Sequence, residues 1–139
     1  MITLTHAGTA IALPEDLAWP DEFDWSPVAA AEQRTLTGAL IIHHSTRQSG
    51  RPITLASEGA SWFPRAQVLA LQAIHQMDAT AVAVGQPVAP MTLDVHGRVF
   101  SVTWRRGGNA QPLEALPVYR LADPDGTHPY LITLRLQEI

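Results

Sequence analysis

Proline and glycine break this chain at short intervals. Eleven prolines and nine glycines fall among 139 residues. The apolar runs between them are short and mostly alternating, which leaves little room for long helices and favours a fold built mainly from strands. Ile2, Leu4 and His6 alternate with Thr3 and Thr5, and Ala10 to Leu13 runs up to Pro14, so the sequence predicts an N-terminal hairpin. Met91 to Val95 and Arg98 to Trp104 flank His96-Gly97, where glycine can take the positive φ of a tight turn. This is the clearest hairpin signal in the chain. Leu116 to Leu121 reads as a further strand, and Tyr130 to Ile139 as a closing one with Ile132, Leu134 and Leu136 on one face.

Thr35 to His44 is rich in strand-forming residues, and Arg51 to Ala56 follows through the polar stretch Ser45 to Gly50. These two runs are predicted to be the sides of one long hairpin, Thr35–Ala56, projecting from the body. Pro14 to Pro27, with Trp19, Phe23 and Trp25 interrupted by Pro20, reads as an ordered loop pinned by its aromatics. One helix is predicted. Pro64 suits a first helical position, where its missing N–H would be unpaired anyway. Val68, Leu71, Ile74 and either His75 or Met77 then recur at steps of three and four, Leu69 widens the stripe, and Arg65, Gln67, Gln72 and Gln76 lie mostly off it. Such a helix has roughly three to four turns and packs one face on a sheet. The expected architecture is mainly β with one helix: a β-sandwich or partly closed barrel with a flanking α-helix and a long hairpin, in one domain over residues 1–139.

Composition narrows the function. Hydrophobic residues make up 46% and charged residues 16%, enough apolar material for a core. The net charge is -4 and there is no Lys/Arg run, so a charge-based grip on nucleic-acid phosphates is not expected. All nine basic residues are arginine, whose planar fork suits interfaces. The absence of cysteine removes disulfides, thiolate metal sites and cysteine nucleophiles. The first residues lack the basic and apolar regions of a secretory signal, and no stretch approaches the ~18 apolar residues of a membrane span. The expectation is a protein made in the cytosol, without membrane insertion.

No catalytic set emerges. His43 and His44 are adjacent in a predicted strand, where neighbouring side chains point to opposite faces and cannot easily share one ion. His6, His75, His96 and His128 lack the spacing that puts two ligands on one helix face. Asp16, Asp21, Glu22 and Asp24 cluster early in the chain. Asp123-Pro124-Asp125-Gly126 is a natural turn without the ligand pattern of a calcium loop, and Arg106-Gly107-Gly108-Asn109 reads as the loop after a strand. Trp19, Trp25, Trp62 and Trp104 fit core or interface anchors better than a sugar platform. No catalytic, cofactor-binding or metal-binding residue is assigned, and an enzyme is not expected.

As an ordered whole the chain resembles small tail proteins of long-tailed bacteriophages and prophages. The likeness rests on Leu13-Pro14-Glu15-Asp16-Leu17-Ala18-Trp19-Pro20-Asp21-Glu22-Phe23-Asp24-Trp25-Ser26-Pro27-Val28, on Thr37-Gly38-Ala39-Leu40 and on Gly50-Arg51-Pro52-Ile53-Thr54-Leu55. The helix with Val68, Leu71 and Ile74, the His96-Gly97 hairpin and the terminal Leu134-Arg135-Leu136-Gln137-Glu138-Ile139 complete it. The resemblance implies the β-sandwich-plus-helix domain of tail-tube and distal-tail proteins, in a virion structural protein of the tail tip. It also implies a homo-oligomeric ring, commonly a hexamer, that joins the tail tube to baseplate or fibre proteins. Thr46, Arg47, Gln48, Arg51, Trp19 and Trp25 are the candidate interface residues. If the ring lines a DNA channel, the acidic residues of segment 15–24 and Asp94 are available for its wall. The alternatives are a small carbohydrate-binding β-sandwich module using exposed aromatics and, third, an enzyme or metal protein built around His43, His44 and Asp94.

Overall fold

A computed structural model describes residues 1–108 and 111–139. Asn109, at the end of the expected Arg106–Asn109 loop, lies outside the described residues. In chain order the elements are β1 (Ile2–His6), β2 (Thr9–Leu13), β3 (Val28–Arg34), β4 (Leu40–Thr46), β5 (Pro52–Ala56), β6 (Phe63–Pro64), α1 (Arg65–Ala83), β7 (Met91–Val95), β8 (Arg98–Trp104), β9 (Leu113–Pro117) and β10 (Pro129–Glu138). The structure is mainly β with a single helix: a curled half-barrel sheet and a second, small sheet.

The main sheet runs β2-β1-β7-β8-β10-β5, with β6 and β9 also paired to β10. Antiparallel β10 is its hub. One edge takes β5 at Thr133–Gln137 and β6 at Pro129–Tyr130, and the other takes β8 at Leu136–Glu138 and β9 at Tyr130–Leu134. Strict alternation buries Tyr130, Ile132, Leu134 and Leu136, in keeping with the period of two that the sequence shows. Two of the three predicted hairpins also form. Two-residue turns with positive φ at both positions, Ala7-Gly8 and His96-Gly97, close β1 on β2 and β7 on β8. Beyond β5, Ser57 prolongs the pairing: its N–H donates to the Ile132 carbonyl at 2.9 Å and its Oγ accepts the Ile132 N–H at 3.0 Å.

Helix α1 lays Val68, Leu71 and Ile74 on the core as the periodicity predicts. Pro64 stands just outside the helix at the capping position and offers no side-chain bond, so the first N–H groups find other acceptors. Arg65 N–H donates to the His128 carbonyl at 2.9 Å and Ala66 N–H to that of Gly126 at 3.0 Å. The cap is thus a turn over 125–128, two residues later than the expected 123–126 one, and Asp125 holds it by accepting from Thr127 N–H and Oγ at 2.9 and 2.7 Å. The helix is longer than expected, 19 residues. Its next buried position after Ile74 is Asp78, not His75 or Met77, and Leu69 and Met77 are exposed.

Two strand expectations are corrected. The Thr35–Ala56 hairpin does not form. β4 pairs instead with β3, from Val28↔Thr46 to Arg34↔Leu40, while β5 joins the main sheet beside β10. The apolar alternation of Ile53 and Leu55 explains the division: both are fully buried against the core, whereas every residue of β4 is exposed. The predicted strand at 116–121 lies instead at Leu113–Pro117, and its ladder stops where Pro129 has no N–H to donate. Val118 N–H to the Pro129 carbonyl, 3.2 Å, is the last bond before the chain turns away.

The hub role of β10 sets a clear expectation. Leu134→Ala, at a fully buried site between β5 and β9, should cost about 2–5 kcal/mol in chemical denaturation, and Leu40→Ala on exposed β4 no more than about 0.5 kcal/mol.

Candidate interaction surface

The small sheet is an arm. Among the described residues β3 and β4 share no ladder with the main sheet, and Val28, Leu40, Ile41 and Ile42 are each 41–45% exposed, with Leu36 wholly exposed near the tip. An isolated two-stranded ribbon is marginal in water and keeps two rows of unpaired backbone groups. The bonds Arg47 N–H to the Pro27 carbonyl (2.8 Å) and Thr35 N–H to the Ala39 carbonyl (2.9 Å) fix the inward-pointing backbone positions as the odd-numbered ones. Leu40, Ile42, His44 and Thr46 therefore turn their N–H and C=O groups outward along the free edge of β4. On the free edge of β3, Val28 N–H already bonds Ser26 Oγ at 3.2 Å, and Glu32 and Arg34 add charge.

A cation–aromatic cluster roots the arm in the body. The Arg51 guanidinium lies 5.2 Å from the Trp19 ring centre, 5.9 Å from Trp25 and 5.5 Å from Phe100, and its Nη2 donates to the Glu22 carbonyl at 2.6 Å. Arg98 stacks on Trp19 and Phe100 at 5.1 and 5.4 Å and pairs with Glu22 Oε1 at 2.7 Å. Asp21 accepts both the N–H and the hydroxyl of Thr54 at 3.0 Å, and Ala18 exchanges backbone bonds with Ala56 at 2.9 Å. The 18–22 segment thereby seals the outer edge of β5. Of the candidate interface residues, Thr46, Arg47 and Gln48 are exposed at the arm's base, whereas Arg51, Trp19 and Trp25 are committed to this internal cluster. Asp21 and Glu22, offered as channel-wall residues, are likewise tied up within the chain.

The histidines do not gather. His43 and His44 stand opposite Ala31 and Ala30 in the arm, Asp94 on β7 accepts the Gly97 N–H at 2.9 Å, and His128 is buried against the Tyr119 carbonyl at 2.9 Å. Among the described residues no group of three or more His, Asp or Glu side chains could hold a metal ion, and no helix is long and apolar enough to cross a membrane. Trp104 is buried in the core, and Trp19 is covered by two guanidinium groups.

One polar cluster escaped the sequence reading. Asp78, buried on α1, forms an ion pair with Arg106 Nη2, and His75 Nδ1 lies 3.5 Å from the same nitrogen. The cluster borders a cavity of about 520 Å³ walled by Ala79, Val82 and Val88. The signal that could have found it is the four-residue step from Ile74 to Asp78, which puts a carboxylate on the core stripe. Burial, and then the Arg106 charge, hold the His75 imidazole below its ordinary value of 6.5, against the opposing pull of Asp78.

No family model, curated protein or solved structure matches the chain.

Two measurements follow from this geometry. Because the folded state disfavours protonated His75, the unfolded chain holds the extra proton between the lowered folded pKa and 6.5. This contribution to stability is present above that window and lost as the pH falls through it. In an NMR titration of the His75 ring, Arg106→Gln should raise the midpoint and Asp78→Asn should lower it. In hydrogen exchange on dilute protein, the β3–β4 amides should exchange well before those of β10.

Proposed function

We propose that this protein is a virion structural component of the tail tip of a long-tailed bacteriophage. In this reading it assembles on itself into a ring, a hexamer by analogy with the proteins it resembles, and docks the tail tube on one side and baseplate or fibre proteins on the other. Its role is mechanical and non-catalytic, and its place is the virion tail, assembled in the bacterial cytoplasm. The single observation that carries the reading is the arm: a seven-residue ribbon held out from the body with its isoleucines in solvent. Such a ribbon gains its missing packing and backbone bonds when another chain supplies them. The net charge of -4 suits a protein that holds other proteins and lets DNA pass.

Native mass spectrometry and negative-stain imaging test this directly. Purified protein, alone or with the tube protein of the same phage, should form closed rings. A strict monomer under all those conditions, absent from purified tail particles, would overturn the proposal.

A further inference from the structure

The six-strand path of the main sheet runs from an open edge to a sealed one. At β5 the outer N–H groups of Thr54 and Ala56 are taken by Asp21 and by the Ala18 carbonyl. At the opposite end, among the described residues, β2 has β1 as its one partner. The turn at Ala7-Gly8 makes His6↔Thr9 a bonded pair, so Thr9, Ile11 and Leu13 bond inward while Ala10 and Ala12 point their N–H and C=O groups outward. No proline, lysine or charged side chain protects this strand, Thr9-Ala10-Ile11-Ala12-Leu13. Beside it, on the core side of the sheet, lies an apolar groove of about 350 Å³ between β2 and α1, lined by Thr9, Ile11, Ala70, Ala73 and Met77.

We propose that the occupant of this edge is β4 of a second copy, added parallel to β2 with Ile42 beside Ile11 and Leu40 beside Thr9. The inference rests on the self-assembly reading and names its contact. Three independent features select this pairing. The first is hydrogen-bond phase. The free groups of β4 belong to Leu40, Ile42, His44 and Thr46, and in a parallel ladder these flank the outward residues of β2, so that Ala12 bonds to Ile42 and His44 of the neighbour.

The second is burial. In that phase the side chains of Leu40 and Ile42 fall on the face of Ile11 and Leu13 and enter the groove, while His43 comes beside exposed Ala12. Antiparallel addition reverses this, placing Leu40 and Ile42 on the solvent face beside Ala10 and Ala12. The third is charge. The parallel sense brings Arg47, just beyond β4, and Asp16, in the turn that follows β2, to the same end of the pairing. Both are exposed, and neither joins an ion pair among the described residues. The contact uses two different surfaces of one chain, so it is heterologous and propagates around a ring.

The chain has no cysteine, which makes disulfide trapping unambiguous. Ala12→Cys and His43→Cys stand side by side in the proposed ladder, at a separation a disulfide spans. Mixed and mildly oxidised, the two single variants should yield a cross-linked dimer that neither yields alone, and the double variant should yield covalent oligomers closing at the ring number. Ile42→Asp should abolish assembly without shifting the monomer's melting temperature. Rings without the Ala12–His43 cross-link overturn the strand addition and leave the self-assembly reading standing. A His43→Cys homodimer formed in preference to the mixed one shows β4 pairing with β4 across a two-fold, which also overturns it. A chain that stays monomeric in every form removes both readings.

Discussion

Strand β10 carries the fold because it has bonding partners along both edges and a core face without a break. Tyr130, Ile132, Leu134 and Leu136 alternate with half-exposed residues, and each buried position is flanked by strands distant in sequence. β5 and β6 come from before the helix, and β8 and β9 from after it. Without the last ten-residue strand the two halves of the sheet share no ladder, since β8 and β5 meet only across it. Most of the chain must therefore be made before the sheet can close, an arrangement of non-local contacts that favours slow, cooperative folding.

Against this closed centre the arm is an exception that the molecule takes care to anchor. The Arg51 and Arg98 guanidinium groups interleave with Trp19, Trp25 and Phe100, and Glu22 takes a hydrogen bond from each. Flat cations on ring faces suit such a partly exposed site, since arginine is weakly hydrated and loses little on leaving water. The acidic segment after Pro14 is therefore less of a free negative surface than its composition suggests. Asp21 and Glu22 serve as structural acceptors, whereas Asp16 remains outside the cluster.

Where local pattern and final burial agree, the fold was legible in the residues. The hairpins at Ala7-Gly8 and His96-Gly97, the Val68–Leu71–Ile74 stripe and the terminal strand all have short-range signals that the core then rewards. The arm's pairing was not legible because Val28 to Arg34, with three consecutive alanines and no alternation, carries no strand period of its own. Its partner Leu40–Thr46 is rich in strand-forming residues, and the next such run is Pro52–Ala56, which the core claims for β10 instead. The Asp78–Arg106 pair was hidden for a related reason. A carboxylate on a helix surface looks ordinary until a long-range partner shows that it is buried. Of the interface candidates, position in sequence pointed to the arm's base, but only the folded chain separates exposed Arg47 and Gln48 from the stacked Arg51.

The root of the arm has a geometric consequence. A subunit that closes a ring must hold a constant angle between the surface it offers and the surface it receives, because the sum of those angles decides how many copies complete the circle. In the proposed assembly the surface offered is the ribbon and the surface received belongs to the body, so the curvature of a ring built through the arm would be stored in the few stacked side chains at its elbow. A softer elbow would still let copies join, but into circles of uneven number or into open spirals.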